Sequence, residues 1–387
     1  MKEENDIESR KSFLKTSLLV ILGFCIVVIV ARYITDESFR TEIDINVFGK
    51  QVEESSLNTI EINSDVGSNI FAFDNYIAIL NKNKLNIYNE KGTLTSEIDV
   101  NISIPLVHTN GKYMVLAEKD AERLYVISEG SILWDTKVEG TISGVNINSN
   151  GYVSVIIKNT IYKSIVVFYD STGKELFRRY PSSNYAICTD ISKDNHYLAV
   201  GEVDYSGTIM KSFIKIISVE LAQKDPDNSI VYTYEADNGE IITNINYQDK
   251  DNAVCMFNSY IQRVSSTDNS RVYEYTGDDL FVDVDLNSGV AVIDKQSSGL
   301  FLYEYEVKVK SINSKAESLY ILNSDLPKSV IVSGDNMAFN LGNEVRIVNS
   351  SGWLVKKYTS SKQITNVVLG DDIAGIVYKN KIEIIEL

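Results

Sequence analysis

The sequence is poor in the residues that serve acid–base chemistry, metal binding and disulfide bonding. Its 387 residues include two histidines, three cysteines, two tryptophans and four prolines. Two histidines leave little scope for a Ser-His-Asp triad, and no GxSxG turn occurs. A zinc site needs His and Cys ligands in closely spaced pairs, and here these residues are scattered. We therefore expect no catalytic residue, no cofactor and no metal.

Basic residues are scarce relative to acidic ones. Lys and Arg number 37 against 53 Asp and Glu, which gives a net charge of −16. Beyond residue 34 the balance is 32 basic against 49 acidic residues, or −17. Nucleic-acid binding requires clustered basic side chains that displace counterions from phosphates. We expect no nucleic-acid partner, and the acidity serves either solubility or attraction of a cationic partner.

One long apolar run lies near the N-terminus, from Phe13 to Ile34. Its charges, Lys15 and Arg32, lie near its ends. About 20 apolar residues in a helix cross a hydrocarbon core of roughly 30 Å. A cleaved signal peptide is the alternative, but cleavage after Ala31 would place bulky Ile29 where a small residue is required. The pattern favours a transmembrane helix over 13–34 that anchors the chain to a membrane.

The charges around this helix predict its orientation. Arg10, Lys11 and Lys15 cluster before it, and the positive-inside rule then places residues 1–12 in the cytoplasm. We expect a single-pass protein of the plasma membrane whose large domain is extracytoplasmic. Residues 35–56 are polar and acidic and are predicted to be a stalk, with a short strand as an option.

Beyond Leu57 one phrase recurs eight times, a polar turn followed by a short apolar strand, as in NGKYMVL from Asn110. The apolar strands are marked by Tyr76, Tyr113, Tyr152, Tyr197, Ala253, Val290, Met337 and Ile373. Successive markers are 36 to 56 residues apart, near the roughly 40–50 residues of one four-stranded propeller blade. The pattern predicts an all-β fold, an eight-bladed β-propeller of four-stranded antiparallel blades; seven blades are the alternative.

A second turn recurs within the repeats, an Asn or Asp followed three residues later by Gly. Such a turn joins the third and fourth strands of a blade, because Gly supplies the positive φ that a tight hairpin needs. The examples are IYNEKGTL from Ile87, FYDSTGKEL from Phe168 and IVNSSGWLV from Ile347, with the shorter YVISEGSIL from Tyr125. In the first blade the predicted strands are Asn69–Phe73, Tyr76–Leu80, Lys84–Tyr88 and Thr93–Val100.

The two ends of the repeat region predict how the ring closes. The final residues, KIEIIEL, correspond to the third strand of the eighth repeat. Leu57 to Asn63 precede the first repeat and have no local strand to pair with. We expect residues 57–63 to supply the missing outer strand of the last blade, which covers a sheet edge that would otherwise be exposed.

The two histidines are predicted to differ in environment. His108 ends an inner strand and is expected near the mouth of the central channel, whereas His196 lies in a turn and is expected in solvent. DVDLNSG, with Asp283, Asp285 and Asn287, resembles the start of a calcium loop. The glycine and glutamate that such a loop requires are replaced by Ser288 and Asp294. We expect an alternating strand there.

Tyrosines and cysteines complete the candidates. The 23 tyrosines recur at corresponding strand positions, which predicts packing between blades. Ligand-binding aromatics are expected in loops that break the pattern, such as Tyr205 or Tyr260. Cys188 and Cys255 lie in apolar strands of neighbouring repeats and are predicted to be buried free thiols, with a disulfide as the alternative.

The turns NGKYMVL from Asn110 and KDNHYLAV from Lys193 are similar to inter-strand phrases of the WD40 and YVTN-type propellers, over about residues 57 to 387. No Gly-His precedes the blades, and the Trp134-Asp135 pair falls on a predicted outer strand, unlike a true WD40 repeat. An N-terminal anchor before a Tyr- and Asn-rich propeller also resembles uncharacterised membrane-anchored proteins of Gram-positive bacteria. These resemblances imply the fold and carry no activity.

Two functions remain open. The first is a noncatalytic, membrane-anchored module that binds a protein or a cell-envelope polymer through loops at one end of the ring. The second is an extracytoplasmic hydrolase or lyase acting on glycans, with carboxylates at the channel mouth. Buried carboxylates of shifted pKa in the channel would favour the enzyme, and a broad exposed aromatic patch on one face would favour binding. The sequence assigns no binding residues and no small-molecule ligand.

Overall fold

The computed structural model describes residues 2–52, 57–62, 69–81, 83–181, 184–248, 252–267, 269–276, 281–286, 289–297, 303–312, 317–322 and 326–387. The chain forms two compact units, Met1–Val52 and Glu53–Leu387.

The first unit is mainly helical. It contains α1 (Lys2–Thr35), α2 (Glu37–Asn46) and β1 (Gln51–Val52). Ser17–Thr35 is long and apolar enough to cross a membrane, with a mean hydropathy of 2.6. A signal sequence near the N-terminus would have the same properties.

Within the predicted stalk of residues 35–56, the structure has helix α2 and the short strand β1, and residues 53–56 lie outside the described residues. Helix α2 begins at Asp36, whose Oδ1 accepts a hydrogen bond of 3.0 Å from the backbone N of Phe39. An aspartate that accepts from the third residue onward is a typical N-cap, and this Asp was the available sequence signal.

The second unit consists of eight antiparallel sheets arranged as the blades of a propeller. The first four blades, in order from the inner to the outer strand, are β3 (Ile70–Phe73), β4 (Tyr76–Asn81), β5 (Lys84–Tyr88), β6 (Leu94–Asp99); β7 (Pro105–Asn110), β8 (Tyr113–Glu118), β9 (Arg123–Ser128), β10 (Ser131–Lys137); β11 (Thr141–Ile147), β12 (Val153–Lys158), β13 (Ile165–Tyr169), β14 (Glu175–Arg179); and β15 (Tyr185–Ile191), β16 (Tyr197–Asp204), β17 (Lys211–Ser218), β18 (Ile230–Glu235).

The remaining four blades follow the same order, and the last takes its outer strand from the start of the unit. They are β19 (Ile242–Tyr247), β20 (Ala253–Phe257), β21 (Tyr260–Val264), β22 (Arg271–Glu274); β23 (Phe281–Asp285), β24 (Gly289–Ser297), β25 (Tyr303–Ser311), β26 (Glu317–Ile321); β27 (Ser329–Ser333), β28 (Asn336–Asn340), β29 (Glu344–Asn349), β30 (Leu354–Thr359); and β31 (Asn366–Leu369), β32 (Ile373–Val377), β33 (Lys381–Glu386) with β2 (Asn58–Glu61).

The eight-bladed propeller is thus confirmed. First strands of neighbouring blades contact one another, as β15 contacts β19 and β3 contacts β31, which places them around the central axis. The repeat markers all belong to second strands, except that Tyr152 directly precedes β12. In the first blade the observed strands agree with the predicted ones to within one residue.

The predicted ring closure is also confirmed. Strand β2 pairs antiparallel with β33, with Thr59 opposite Glu383 and Ile60 opposite Ile382. Ile60 is buried in a cluster that includes Ile77 of the first blade and Ile382 of the last. Asn63, the final residue of the predicted segment, lies outside the described residues.

The predicted Gly hairpins occur between third and fourth strands. Gly92, Gly173 and Gly352 have φ between 70° and 84°. At the start of the first hairpin, Asn89 Oδ1 accepts hydrogen bonds from the backbone N of Lys91 (3.1 Å) and Thr93 (3.0 Å). The same turn chemistry therefore shapes three different blades.

One hairpin is longer than the others and contains two short helical turns. Between β17 and β18 lie α3 (Val219–Ala222) and a 3₁₀ helix (Pro226–Asn228). The sequence pattern predicted an all-β fold beyond Leu57, so these two helical turns were not expected. Ser218 caps α3 through its side chain, which accepts from the backbone N of Leu221, so a single turn forms without a long helical period.

The hydrophobic core lies between neighbouring blades. In one cluster, Val115 and Val126 of the second blade pack against Val155 and Val167 of the third. The recurring tyrosines contribute to these clusters as predicted, and they include Tyr76, Tyr88, Tyr113, Tyr125, Tyr152, Tyr169 and Tyr197. Cys188 and Cys255 are free thiols, and burial raises the pKa of both.

Candidate functional site

A cavity of about 710 Å³ opens at the end of the ring where the inner strands turn into the second strands. Each of the eight blades contributes residues from this turn, for example Phe73 in the first blade, Ile191 in the fourth and Gly370 in the eighth. The cavity is the mouth of the central channel, so residues far apart in sequence meet there.

Amide and carboxylate side chains dominate the polar lining. These residues are Asp74, Asn110, Asn148, Asp190, Asn244, Asn246, Asp285 and Asp371. Lys193 supplies positive charge against four aspartates. A polar, acidic lining suits ligands that donate hydrogen bonds or carry positive charge.

Three of these aspartates, Asp74, Asp285 and Asp371, come from the first, sixth and eighth blades. Partial burial raises the pKa of the Asp371 carboxyl, and repulsion from Asp372, Asp74 and Asp285 raises it further. Like charges therefore act on one another at this part of the mouth, which makes it a favourable place for a cationic group.

His108 lies at the channel mouth, as predicted, and it joins two blades. Its Nδ1 accepts a hydrogen bond from the backbone N of Ile147 in the third blade (3.2 Å), and its Nε2 is 3.4 Å from Asn146 Nδ2. Burial lowers the pKa of His108 to about 4. The imidazole is neutral near pH 7 and acts as an acceptor for the neighbouring inner strand.

Asp190 performs the same task between the fourth and fifth blades. Its Oδ2 accepts a 2.6 Å hydrogen bond from the backbone N of Tyr247. Burial raises the pKa of Asp190 to about 7, against the opposing effect of hydrogen bonds from Tyr247, Ile191 and Asn146. A buried carboxyl with a raised pKa is often functional, but here a backbone amide of the next blade already occupies it.

Asp283 and Asp285 repeat this arrangement between the sixth and seventh blades. Asp283 Oδ2 accepts from Val332 N (2.8 Å), and Asp285 Oδ2 accepts from Gly334 N (2.7 Å). Both aspartates belong to β23, so the predicted strand is confirmed for these two residues. Asn287 and Ser288 lie outside the described residues.

Other predicted residues lie away from the mouth. The His196 side chain is 77% exposed in the turn before β16, as predicted, with Nδ1 3.2 Å from Asp194 Oδ2. Within the described ranges, no three His, Cys, Asp or Glu side chains lie close enough together to hold a metal ion.

The opposite end of the ring carries an exposed apolar patch on the third and fourth blades. We call Ile161, Tyr162, Tyr185, Ile187, Tyr205, Ile209 and Met210 the blade 3–4 patch. Strand β15 joins the two ends of the ring, because Tyr185 at its start belongs to the patch and Ile191 at its end lines the cavity. The Tyr185 and Tyr205 rings are 5.3 Å apart.

The two aromatic candidates have opposite outcomes. Tyr205 is 46% exposed in the loop between β16 and β17, as expected. Tyr260 is 3% exposed and belongs to the core between the fourth and fifth blades, so its prediction as a loop residue was wrong. The reason is that Tyr260 starts β21 directly after a tight turn, where its ring packs on Phe257 at 4.7 Å.

Sequence reasoning missed Asp74, Asp190 and Asp371 as residues of the mouth. Asp371 lies in the turn between β31 and β32, and this turn borders the cavity. The available signal was positional, because these residues end inner strands or follow them, as His108 does.

Comparison with known proteins supports the fold. The profile of a protein family described as "Family of unknown function (DUF5711)" matches residues 50–387. The structure is similar to the C-terminal WD40 domain of Sif2, with 11% sequence identity, a TM-score of 0.55, and coverage of 85% of this chain and 99% of that one. It is also similar to Sqt1 of Chaetomium thermophilum, solved bound to the N-terminus of ribosomal protein L10, with 12% identity, a TM-score of 0.53, and coverage of 87% and 100%. No curated protein matches the sequence.

Proposed function

The chain belongs to the DUF5711 family of unknown function, and we propose that it is a membrane-anchored, extracytoplasmic and noncatalytic binding module. Residues 13–34 form the anchor, residues 1–12 the cytoplasmic tail, residues 35–56 the connecting segment and residues 57–387 the propeller. Its partner is a protein or a cell-envelope polymer that presents basic or hydrogen-bond-donating groups to the channel mouth.

The observation that carries this proposal is the polar cavity to which all eight blades contribute. Its rim consists of the ends of inner strands and the turns that follow them, and Asp190 and Asp285 are held by hydrogen bonds from neighbouring blades. Groups positioned before a partner arrives lose less entropy on binding. The charge of −17 beyond residue 34 attracts a cationic partner from a distance. The Sqt1 propeller, which was solved with a peptide segment of another protein, provides a precedent at the level of fold.

A glycan hydrolase or lyase is the second candidate, and the raised pKa of Asp371 is the observation that favours it. Glycosidases need two carboxyl groups facing each other across the sugar. At this mouth, Asp190 and Asp285 already accept backbone hydrogen bonds from neighbouring blades. Their use as links between strands supports binding rather than catalysis.

Crosslinking and affinity capture of the full chain from native membranes tests the binding proposal. The wild type and the double variant Asp74→Asn/Asp371→Asn are compared with Glu220→Gln/Asp227→Asn, which removes two exposed carboxylates from the long hairpin of the fourth blade. We expect a stoichiometric partner whose recovery falls roughly tenfold only in the mouth variant, since desolvated charge pairs contribute strongly to binding.

The result that would contradict the binding proposal is equal recovery with all three chains. The enzyme is tested separately by incubating the purified full chain with isolated cell-wall polymer. Release of soluble fragments by the wild type, lost in Asp371→Asn, would replace the binding module with a hydrolase or lyase.

A further inference from the structure

Two neighbouring loops on the face opposite the cavity share a four-residue pattern. Residues 161–164 are Ile-Tyr-Lys-Ser and precede β13 of the third blade, and residues 209–212 are Ile-Met-Lys-Ser and lead into β17 of the fourth. Each pattern consists of two apolar residues, a lysine and a serine, at the same point between the second and third strands of a blade.

The serine holds the base of each loop in place. Ser164 Oγ accepts a 2.9 Å hydrogen bond from the backbone N of Ala186, and Ser212 Oγ accepts a 3.0 Å hydrogen bond from the backbone N of Ile242. Both serines are buried, and both acceptors satisfy the inner strand of the next blade. The loops are therefore attached to the ring at a fixed point just after their apolar residues.

The apolar residues themselves extend into solvent. Ile161 is 81% exposed and Ile209 is 54% exposed, with Tyr162 and Met210 beside them. Scattered exposed isoleucines are ordinary, but a contiguous exposed apolar patch indicates an interaction surface. Here the two loops and the start of β15 together form the blade 3–4 patch.

The surroundings of the loop tips have the composition of a membrane–water interface. The rings of Tyr185 and Tyr205 meet edge to face, and Lys163 Nζ lies 5.1 Å from the Tyr185 ring. Lys211 pairs with Glu235 at 2.6 Å. Aliphatic residues that enter the acyl region, tyrosines at the headgroup level and lysines whose long stems reach the headgroups are typical of interfacial membrane binding.

A bilayer fits this surface better than a protein groove does. The most exposed side chains of the patch, Ile161 and Ile209, are aliphatic and lie on two separate loops of neighbouring blades, whereas protein interfaces usually concentrate their binding energy in one buried cluster of anchor residues. The chain also carries its own candidate membrane span, and 22 residues separate Thr35 from Asn58. A short covalent tether raises the effective concentration of the bilayer, so weak insertion is sufficient.

We propose that the loop tips at Ile161 and Ile209 insert into the headgroup region of the lipid bilayer that holds the anchor, so that the blade 3–4 patch rests on the membrane. This inference rests on the anchoring part of the proposed function. It leaves the cavity end of the ring facing away from the lipid and open to a partner.

The test places an environment-sensitive fluorophore on the full chain with Cys25→Ser, reconstituted in phosphatidylcholine–phosphatidylglycerol vesicles with ordinary or brominated acyl chains. The label is attached at Ile161→Cys or Ile209→Cys, and the control is Lys112→Cys in an exposed turn of the cavity face. The parent without an added cysteine reports labelling of Cys188 or Cys255. Thermal unfolding of each labelled chain checks that the ring is intact.

Brominated lipid is expected to reduce emission roughly twofold at positions 161 and 209 and to leave position 112 unchanged, since insertion at the interface reaches about 5–10 Å into the headgroup–acyl boundary. An alternative result is equal emission at positions 161 and 209 in both lipids, with the chain still in the vesicles after an alkaline wash. This result overturns the insertion of the loops and leaves the proposed anchor standing. If emission at positions 161 and 209 changes in native membranes but not in lipid vesicles, the patch binds a membrane protein. That result also overturns the inference. A chain stripped from the vesicles by the wash overturns the anchor as well.

Discussion

At the residue scale, side chains link neighbouring blades of the propeller. They accept hydrogen bonds from backbone N–H groups of the next blade that have no strand partner on that side. Among the described strands, inner strands of adjacent blades belong to separate sheets and share no hydrogen-bonded ladder, so backbone N–H groups at their ends need other acceptors. His108, Asp190 and Asp285 accept from the next blade at distances of 3.2, 2.6 and 2.7 Å. These residues belong to the second, fourth and sixth blades, so the device recurs in alternate blades.

The raised pKa of Asp190 predicts a pH-dependent stability. Its pKa of about 7 in the folded chain exceeds the usual value of 3.8, so the native state favours the protonated carboxyl. This contribution is fully present below about pH 4 and is lost as pH rises through 7, up to roughly 4 kcal/mol. Asp190→Asn keeps an acceptor oxygen for Tyr247 N without a titrating group, and we expect it to lose less stability than the wild type between pH 4.5 and 7.5.

Chemical denaturation of both chains at the two pH values measures this difference. His108 has the opposite sign, because its lowered pKa costs stability as pH falls below about 6.5. It is present in both chains and cancels in the comparison. Asp227→Asn, at an exposed site, is the matched control, and a variant at 190 with the same pH slope as that control would contradict the prediction.

Gly201 is required by the packing of the fourth and fifth blades. A Cβ at this position in β16 would lie 2.7 Å from Cys188 Sγ and 3.0 Å from Ile242 Cγ1. We expect Gly201→Ala to destabilise the chain by about 1–3 kcal/mol through overpacking. Adding Cys188→Ala should recover part of the loss, which denaturant titration of single and double variants measures.

The control for that substitution is Gly207→Ala in an open loop, where the nearest atom is 3.5 Å away. It should leave the free energy of unfolding within about 0.5 kcal/mol of the wild type, as surface changes usually do. A loss at Gly207 equal to that at Gly201 would show that the effect does not come from the Cys188 contact.

At the element scale, the four-residue strand β2 completes a blade whose other strands lie more than 300 residues later in the sequence. It covers the edge of β33 and brings Ile60 into the cluster between the last and first blades. One short strand therefore joins the two ends of the ring, and its removal would expose both a sheet edge and apolar surface.

Deletion of residues 57–63 is expected to lower the melting temperature sharply, and Ile60→Ala to cost about 2–4 kcal/mol for the cavity it leaves. Glu61→Ala, at an exposed position of the same strand, is the control and should change little. Calorimetry of the three variants measures the melting temperature and the free energy of unfolding of each. A deletion that melts like the wild type would show that the ring does not depend on β2.

At the scale of the whole molecule, the ring has two chemically different ends. One end holds the polar, acidic cavity, and the other holds the blade 3–4 patch. The inner strands run between them, so a contact at one end leaves the other accessible. A module of this kind suits a protein held at a surface that must also reach outward.

The proposed topology predicts that protease added to intact cells or protoplasts removes the propeller, while the N-terminal tail stays protected inside. The expectation follows from the basic cluster Arg10, Lys11 and Lys15 before the span. An epitope tag at each end of the chain, followed by blotting, measures it. Full protection of the propeller until the membrane is permeabilised would contradict the orientation.

The sequence by itself determined the architecture, because its signals are local. Alternating apolar strands, Asn89 or Asp170 opening a hairpin, and Gly92 or Gly173 at positive φ each depend on a few neighbouring residues. The polar turn followed by an apolar strand recurs eight times and the Asn or Asp hairpin with Gly three times, so local signals specify the blades, and a ring leaves no blade with an unpaired neighbour. The sequence analysis did not predict the short helix α2, because its ten residues give little helical signal beyond the Asp36 cap.

Only the tertiary structure decided where residues from different blades meet. Asp74 and Asp371 are almost 300 residues apart and share the channel mouth because the ring closes between them. The blade 3–4 patch likewise combines loops from two blades, and Tyr260 is buried whereas Tyr205 is exposed. Surface composition depends on the packing of neighbours from distant parts of the chain, and a periodic pattern carries no information about that packing.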